Sequence, residues 1–337
     1  MPSSPPHRTF EPAPVPGGPT AARTRRALVT GATGYIGRWL ATTLADAGWT
    51  VRCMVRDQSR ARDLEQRGFE LHEADVLRPE TLNGIGRDVD VAYYLIHGMG
   101  RGARGDFAAR EHAGAEAFAR TALRDGLGRV IYLGGLGQSH SRHLRSRHET
   151  ARVLAEHGPP LTHFRAGMVV GAGSESYRTL RYLVERLPAM IAPAWLKVPT
   201  QPIAIDDVLA YLSAAPDLPK TTGREIQIGG PSVLSYGDML DRMAEALGRK
   251  PRPKLPVPLL TPRLSSLWIG LVTPVDAGVA RPLIEGLSTK TTVTDTSSAQ
   301  LFDIAPLPIE EALRRAVAND AAAPRRGAQS VADSRPN

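Results

Sequence analysis

Short apolar runs alternate with stretches of helical period through the first two-thirds of the chain. Residues 26–30, 49–56, 70–75, 89–97, 129–133 and 161–167 read as strands. Between them, 35–47, 59–67, 105–125 and a segment ending at His157 carry apolar or small residues three and four positions apart, with Gly48 stopping the first helix. Strand, helix, strand in regular order predicts an α/β fold with a doubly wound parallel sheet and right-handed crossovers. Beyond residue 170 the spacing predicts a helix over 175–187, a strand-to-helix unit starting at Ile203, a strand from Glu225 and a helix over 236–247. A proline-rich run follows, then an apolar helix around Trp268 and another beginning near Arg281. These late elements depart from the alternation and predict a smaller C-terminal lobe, formed mainly by 174–200 and 231–290.

The first strand runs into Gly31, Gly34 and Gly37, and an apolar helical pattern continues through Trp39, Leu40 and Leu44. Glycines at a strand-to-helix turn let the backbone approach a pyrophosphate, which sits at the exposed N–H groups of the helix N-terminus. The stretch therefore predicts a Rossmann-like dinucleotide site. The second strand ends in Arg56, where an acid would bind the ribose hydroxyls of NAD. An arginine there, helped by Ser59 and Arg60, can pair with an extra 2′-phosphate or simply be solvated; NADP(H) is expected ahead of NAD(H). Asp75 and Val76 follow the third strand and are read either as adenine contacts or, for Asp75, as a turn cap. The fourth strand runs through Tyr93 and Tyr94 to His97, at the strand end that faces the cofactor in a parallel sheet, where His97 reads either as a residue of the site or as an ordinary structural histidine.

Hydrophobic residues make up 42% of the chain, as in an ordinary globular enzyme, and the net charge is +8. That charge comes partly from Arg8, Arg23, Arg25 and Arg26 and partly from Arg142, Arg145, Arg147 and Arg152. No aromatic residues interleave with it, so no nucleic-acid partner is expected. Residues 1–24, rich in proline, serine, alanine and glycine, read as a disordered leader, and 318–337 as a disordered tail, leaving 25–317 as the folded part. Cys53 is the one cysteine, and its strand position reads as buried packing. With no signal-like segment this predicts a reducing, cytoplasmic setting. No apolar run reaches bilayer length, so no stable membrane insertion is expected, although Leu264 to Val272 is greasy enough to touch a membrane or an apolar substrate.

After the fifth strand come Ser139, His140, Ser141, Arg142, His143 and, onward, Arg147, His148 and Glu149. On a helix His143 and Arg147 share a face, as do His148 and Arg152. The first pair can orient a carbonyl or carboxylate and stabilise negative charge, or it is simply a solvated basic face. The histidines match no zinc spacing, and no metal is expected. Met190 to Trp195 supplies aromatic and apolar surface suited to a pocket or to a core, and Leu271 to Pro274 is expected near that pocket. Asp206 or Asp207 is read as a helix cap.

Taken together, Thr30-Gly-Ala-Thr-Gly-Tyr-Ile-Gly37, Tyr132-Leu-Gly-Gly-Leu-Gly137, the Ser-Arg-His-Glu stretch at 146–149, Arg165-Ala-Gly167 and Gln201-Pro-Ile-Ala-Ile-Asp-Asp-Val208 resemble an atypical or extended short-chain dehydrogenase/reductase of the NmrA-like or nucleoside-diphosphate-sugar-epimerase-like type. The resemblance covers 25–317 and implies a seven-stranded parallel sheet with a C-terminal substrate lobe. It also implies cofactor contacts from Gly31, Thr33, Gly34, Tyr35, Ile36, Gly37, Arg56, Asp75, Val76, Leu95, Arg147, Ala166 and Gly167. Relatives of this type place a tyrosine, and four residues later a lysine, where this chain has His143 and Arg147, and a serine region where it has Gly134 and Gly135. Arg147 can hold a ribose hydroxyl but is a poor proton donor, because guanidinium stays charged. His143 can donate near neutral pH; Tyr94 and His97, with Tyr93 and Tyr177, are further candidates. The expectation is an NADPH-dependent oxidoreductase passing hydride to a partly apolar small molecule at a C=C, C=N or ketone, as a monomer or homodimer. The alternatives are a redox-inactive NADP-binding regulatory protein or an isomerase or epimerase.

Overall fold

A computed structural model describes residues 24–97, 107–137, 142–187, 190–192, 194–256 and 289–322. Seven strands form the central sheet: β1 (Arg26–Val29), β2 (Thr50–Val55), β3 (Glu70–Glu73), β4 (Val91–Tyr94), β5 (Val130–Gly135), β6 (Leu161–Ala166) and β7 (Glu225–Ile228). Their order across the sheet is β7-β6-β5-β4-β1-β2-β3, and every neighbouring pair is parallel. The sheet is therefore doubly wound, with its switch point between β1 and β4.

Both faces are covered, which is why the strands read as nearly continuous apolar runs. Helices α1 (Tyr35–Asp46) and α6 (Ile205–Ala214) pack together on one face, over Ala27, Val29, Cys53, Tyr93, Ile131 and Phe164. On the other, α3 (Phe107–Arg124) and α4 (Arg142–His157) pack over Leu28, Met54, Ala92, Tyr94, Val130 and Tyr132. Odd and even positions of each strand go to opposite faces, as the period of two requires. Burial pushes the Cys53 thiol up to about 12, in keeping with its reading as packing. A third apolar cluster joins α5 (Glu175–Arg186), α7 (Tyr236–Ala246) and α8 (Ile309–Ala322) through Leu180, Leu183, Met239, Met243, Ile309 and Leu313.

Several boundaries differ from the expected ones. The segment 59–67 is a 3₁₀ turn over Gln58–Arg60 followed by the short helix α2 (Arg62–Gln66), because Asp57 caps the turn by accepting from the Ser59 N–H. Helix α8 continues to Ala322, past the expected end of the folded part at 317, with Asp320 paired to Arg181 of α5. Asp207 stands in the first turn of α6 and accepts from the Leu307 N–H at 2.9 Å, tying that helix to the segment before α8. The expected leader up to Arg23, the apolar helix around Trp268 and Leu271 to Pro274 lie outside the described residues.

One side chain fastens the switch point. Thr30, fully buried, donates from Oγ1 to the Tyr93 carbonyl at 3.1 Å and accepts from the Leu95 N–H at 3.0 Å, so the ends of β1 and β4 are clipped together. Thr30→Val keeps the shape and removes both bonds, leaving a buried N–H without a partner. The expected loss is about 1–3 kcal/mol of stability, read as a lower urea midpoint. An unchanged midpoint would show the clip to be energetically idle.

Candidate functional site

The loop leaving β1 is shaped by what its glycines lack. Gly31 has φ +62°, and a Cβ there would lie 2.8 Å from the Leu95 carbonyl oxygen. A Cβ on Gly37 would collide with the Gly31 carbonyl, so helix α1 and the loop approach as only glycine allows. Gly34 is the N-cap of α1 and offers no side-chain oxygen, and the first turn carries no acid. The N-terminal N–H groups of α1 are thus left to an outside acceptor, which suits a pyrophosphate. The cradle fits the dinucleotide that its sequence implies.

Around this loop the carboxyl ends of the strands collect most of the expected contacts. Leu95 follows β4, and its backbone walls Gly31. Ala166 closes β6 and accepts from the Leu136 N–H at 2.8 Å, while Gly167 packs so closely that a Cβ would meet the Gln201 carbonyl at 2.6 Å. Thr33 offers its carbonyl to Arg38 Nε at 3.2 Å, and Ile36 packs into the core beneath. Arg56, just past β2, is exposed and pairs with no carboxylate among the described residues. Asp57 holds Ser59 by a 2.6 Å hydrogen bond and Arg60 at 3.6 Å, so those two expected helpers are engaged locally. Asp75 accepts from the Leu77 N–H at 3.0 Å, a turn-closing contact, and Val76 packs against Gly114 of α3.

Two expected acid candidates are placed in the interior instead. Tyr94 is 2% exposed and packs on Phe118 at 5.0 Å and Tyr132 at 6.1 Å, and burial drives its phenol far above the usual range. It fills the core under α3. Tyr177 is buried in the third cluster, bonded to Asp320 of α8 at 3.4 Å. Tyr93 donates to the Leu212 carbonyl at 3.1 Å on the α6 side. His97 stands edge-on to Tyr132, with ring centroids 6.0 Å apart, beyond the end of β4. His143 lies in the first turn of α4, but its side chain, like residues 138–141, falls outside the described set. Arg147, one turn further, reaches the end of β5: a Cβ on Gly135 would sit 3.3 Å from its Nη1. Its Nε is buried without a hydrogen-bond partner, and burial lowers its basicity against the opposing pull of Tyr132 and Glu111.

Behind the β5 turn lies a polar brace that local sequence patterns did not reveal. Arg165 of β6 donates to the Gly135 carbonyl at 3.2 Å and the Gly137 carbonyl at 2.7 Å, and is held by Glu225 of β7 at 2.7 Å. The His148 ring also bonds the Gly135 carbonyl. His163 stacks on Tyr132 at 5.2 Å and approaches Glu225 at 3.6 Å. From the other side, residues 289–294 strap across. Gln201 accepts from the Val293 N–H and Gln227 from the Thr294 N–H, each at 2.9 Å, and the Lys290 carbonyl lies 3.1 Å from where a Gly137 Cβ would be. The Gln201-Pro and Arg165-Ala-Gly motifs were the only local signals of either device.

Burial, opposed by the carboxylate of Glu225 and helped by the charge of Arg165, pushes His163 down to about 4, so the folded state holds it neutral where the unfolded chain binds a proton. Native stability is then complete above the ordinary value of 6.5 and falls as pH drops from there towards about 4. His163→Gln, which cannot titrate, is expected to flatten that slope in urea unfolding followed between pH 7 and pH 4.5. An unaltered slope would assign the acid sensitivity elsewhere.

Comparison with known proteins agrees with this geometry. Residues 31–166 match the NAD(P)H-binding family. Over 253 residues the chain is 24% identical to NADH dehydrogenase (ubiquinone) 1 alpha subcomplex subunit 9, mitochondrial, of Arabidopsis thaliana, covering 69% of this chain and 61% of the relative. The chain therefore spans about three-fifths of that relative's length. Triphenylmethane reductase of Citrobacter sp., solved with NADP(H), superposes with a TM-score of 0.69 at 15% identity, over 86% of this chain and 99% of that one. A nucleoside-diphosphate-sugar epimerase of Staphylococcus aureus gives 0.67 at 16% identity, over 86% and 99%. Residues 31–166 thus match an NAD(P)H-binding domain, and the fold around it is the one these solved structures share.

Proposed function

We propose that the protein is an NADPH-dependent oxidoreductase that reduces a partly apolar small molecule at a conjugated C=C, C=N or C=O bond. The observation that carries this reading is Arg147, a guanidinium with a buried, unpartnered Nε, pressed against Gly135 at the carboxyl end of β5. A permanently charged group there cannot supply the proton that a tyrosine supplies. It can hold a ribose hydroxyl and stabilise negative charge developing on the atom beyond the one that accepts hydride. When bound, NADPH supplies the hydride.

The chain's own residues do the rest. The glycine cradle and the open N-terminus of α1 would take the pyrophosphate, and Arg56 would pair with the 2′-phosphate. His143, one helical turn before Arg147, donates the proton, with His97 as a further candidate. The cluster joining α5, α7 and α8 is the floor of the substrate lobe, which keeps water from the reacting atoms. Some similar proteins are named as reductases and others as epimerases, and the replacement of the tyrosine and lysine pair favours hydride addition to a polarised conjugated bond.

Arg56→Ala is expected to raise the dissociation constant for NADPH by at least about tenfold, the scale of one charge-assisted phosphate contact, and to leave NADH binding nearly unchanged. Parallel losses for both cofactors in calorimetric titrations would overturn the 2′-phosphate role. For catalysis, NADPH oxidation is followed by the near-ultraviolet absorbance of the reduced nicotinamide, with panels of quinones, enones, imines and ketones as acceptors. His143→Ala should cut turnover about a hundredfold, the usual worth of a general acid, with NADPH affinity preserved. Equal turnover would reject it as proton donor, and a wild-type protein that binds NADPH yet oxidises it with no acceptor would favour the redox-inactive reading.

A further inference from the structure

A cavity of about 530 Å³ opens away from the glycine loop, between α4 and the edge strand β7. It runs along the α4 side of β6 from Leu161 to Arg165 and reaches the first residue of β7, Glu225, and none of the glycine-loop residues after β1 lines it. Its size falls in the range of about 300–1,000 Å³ usual for small-molecule sites, and it combines apolar walls with a few converging polar groups. We propose that this cavity is a second ligand site, for a small organic carboxylate with a short apolar body.

The lining sorts the possible ligands. Ala151 and Ala155 from α4, with Pro160 and Leu161 from the start of β6, make an apolar slot. At its mouth stand two arginines and a glutamate. Arg152 is engaged by Glu149 and Glu156, each at 2.7 Å, and Glu225 is engaged by Arg165 at 2.7 Å. Arg224 is exposed and pairs with no carboxylate among the described residues, so the cation at the mouth that remains open to a ligand is a guanidinium. Its planar fork matches a carboxylate.

A cationic ligand would face Arg152, Arg165 and Arg224 for the sake of a glutamate that already has its partner. A metal ion fits no better, since no three metal-ligating side chains converge among the described residues. The imidazoles of His148 and His163 in the wall are held neutral by burial and by Arg165, so they add no repulsion toward a carbon body. A carbon body is asked for as well, because a bare anion at Arg224 would leave the exposed Ala155 and Pro160 uncovered. This site stands whether or not the protein oxidises NADPH.

The test is a titration of the ¹⁵N-labelled full chain, saturated with NADPH, with hexanoate, benzoate, hexanamide, benzamide and inorganic phosphate, read by amide chemical shifts. Both carboxylates are expected to shift the amides of 148–155 and 223–225 and to bind about tenfold more tightly than their amides, the worth of one charged fork. Arg224→Ala should lower carboxylate affinity by about the same factor. Ala155→Leu fills the slot from an exposed helix position, so the protein folds and binding is lost. The proposal is overturned if carboxylate and amide bind alike, if phosphate binds as well as hexanoate, if either variant binds as the wild type does, or if shifts are absent or confined to the glycine loop and the β5 turn.

Discussion

Everything at the cofactor end of this protein depends on how closely the backbone after β1 can approach the backbone after β4. The Leu95 carbonyl stands 2.8 Å from the place a Cβ of Gly31 would occupy, and the Gly31 carbonyl fills the place of a Cβ on Gly37. Thr30 clips the same two strand ends through two hydrogen bonds. Since the strand order reverses between β1 and β4, the chain leaves this junction in opposite directions on the two faces, and a crevice opens above it. Any side chain at Gly31 or Gly37 would push α1 off the sheet and close the space where the N-terminal N–H groups of the helix face outward.

What was legible in the sequence is what is local. The alternation of strand and helix and the glycine turn each lie within a few residues of their own cause, so periodicity and turn chemistry sufficed. Side-chain direction was less accessible. Tyr94 and Tyr177 are polar-tipped residues in apolar company, and only the packed faces show that both are turned into clusters, against Phe118 and toward Asp320. The brace was least legible, because Arg165 and Glu225 lie 60 positions apart and meet only once β6 and β7 pair. Nor does helical period alone fix where α8 stops: Arg181 of α5 engages Asp320 near its end.

The glycines at 134 and 135 sharpen the difference between binding a cofactor and using it. A Cβ on Gly134 would lie 2.6 Å from His163 Nε2, and one on Gly135 would lie 2.9 Å from Leu144 Cδ2 and 3.3 Å from Arg147 Nη1. Neighbouring side chains fill the volume that a side chain at either glycine would need. A serine restored at either position would meet an imidazole, or a leucine and a guanidinium, and could not take up its usual place without displacing them. The departure from the tyrosine, lysine and serine pattern is a coordinated one, in which Arg147, His163 and the two glycines fit each other. A site rebuilt as a unit around a fixed cation favours chemistry in which charge must be stabilised while the proton comes from elsewhere on α4 or from solvent. On the proposed reading, that is the physical content of His143 and Arg147 standing where the resembled family has a tyrosine and a lysine, and it separates the NAD(P)H-binding cradle from the reacting end.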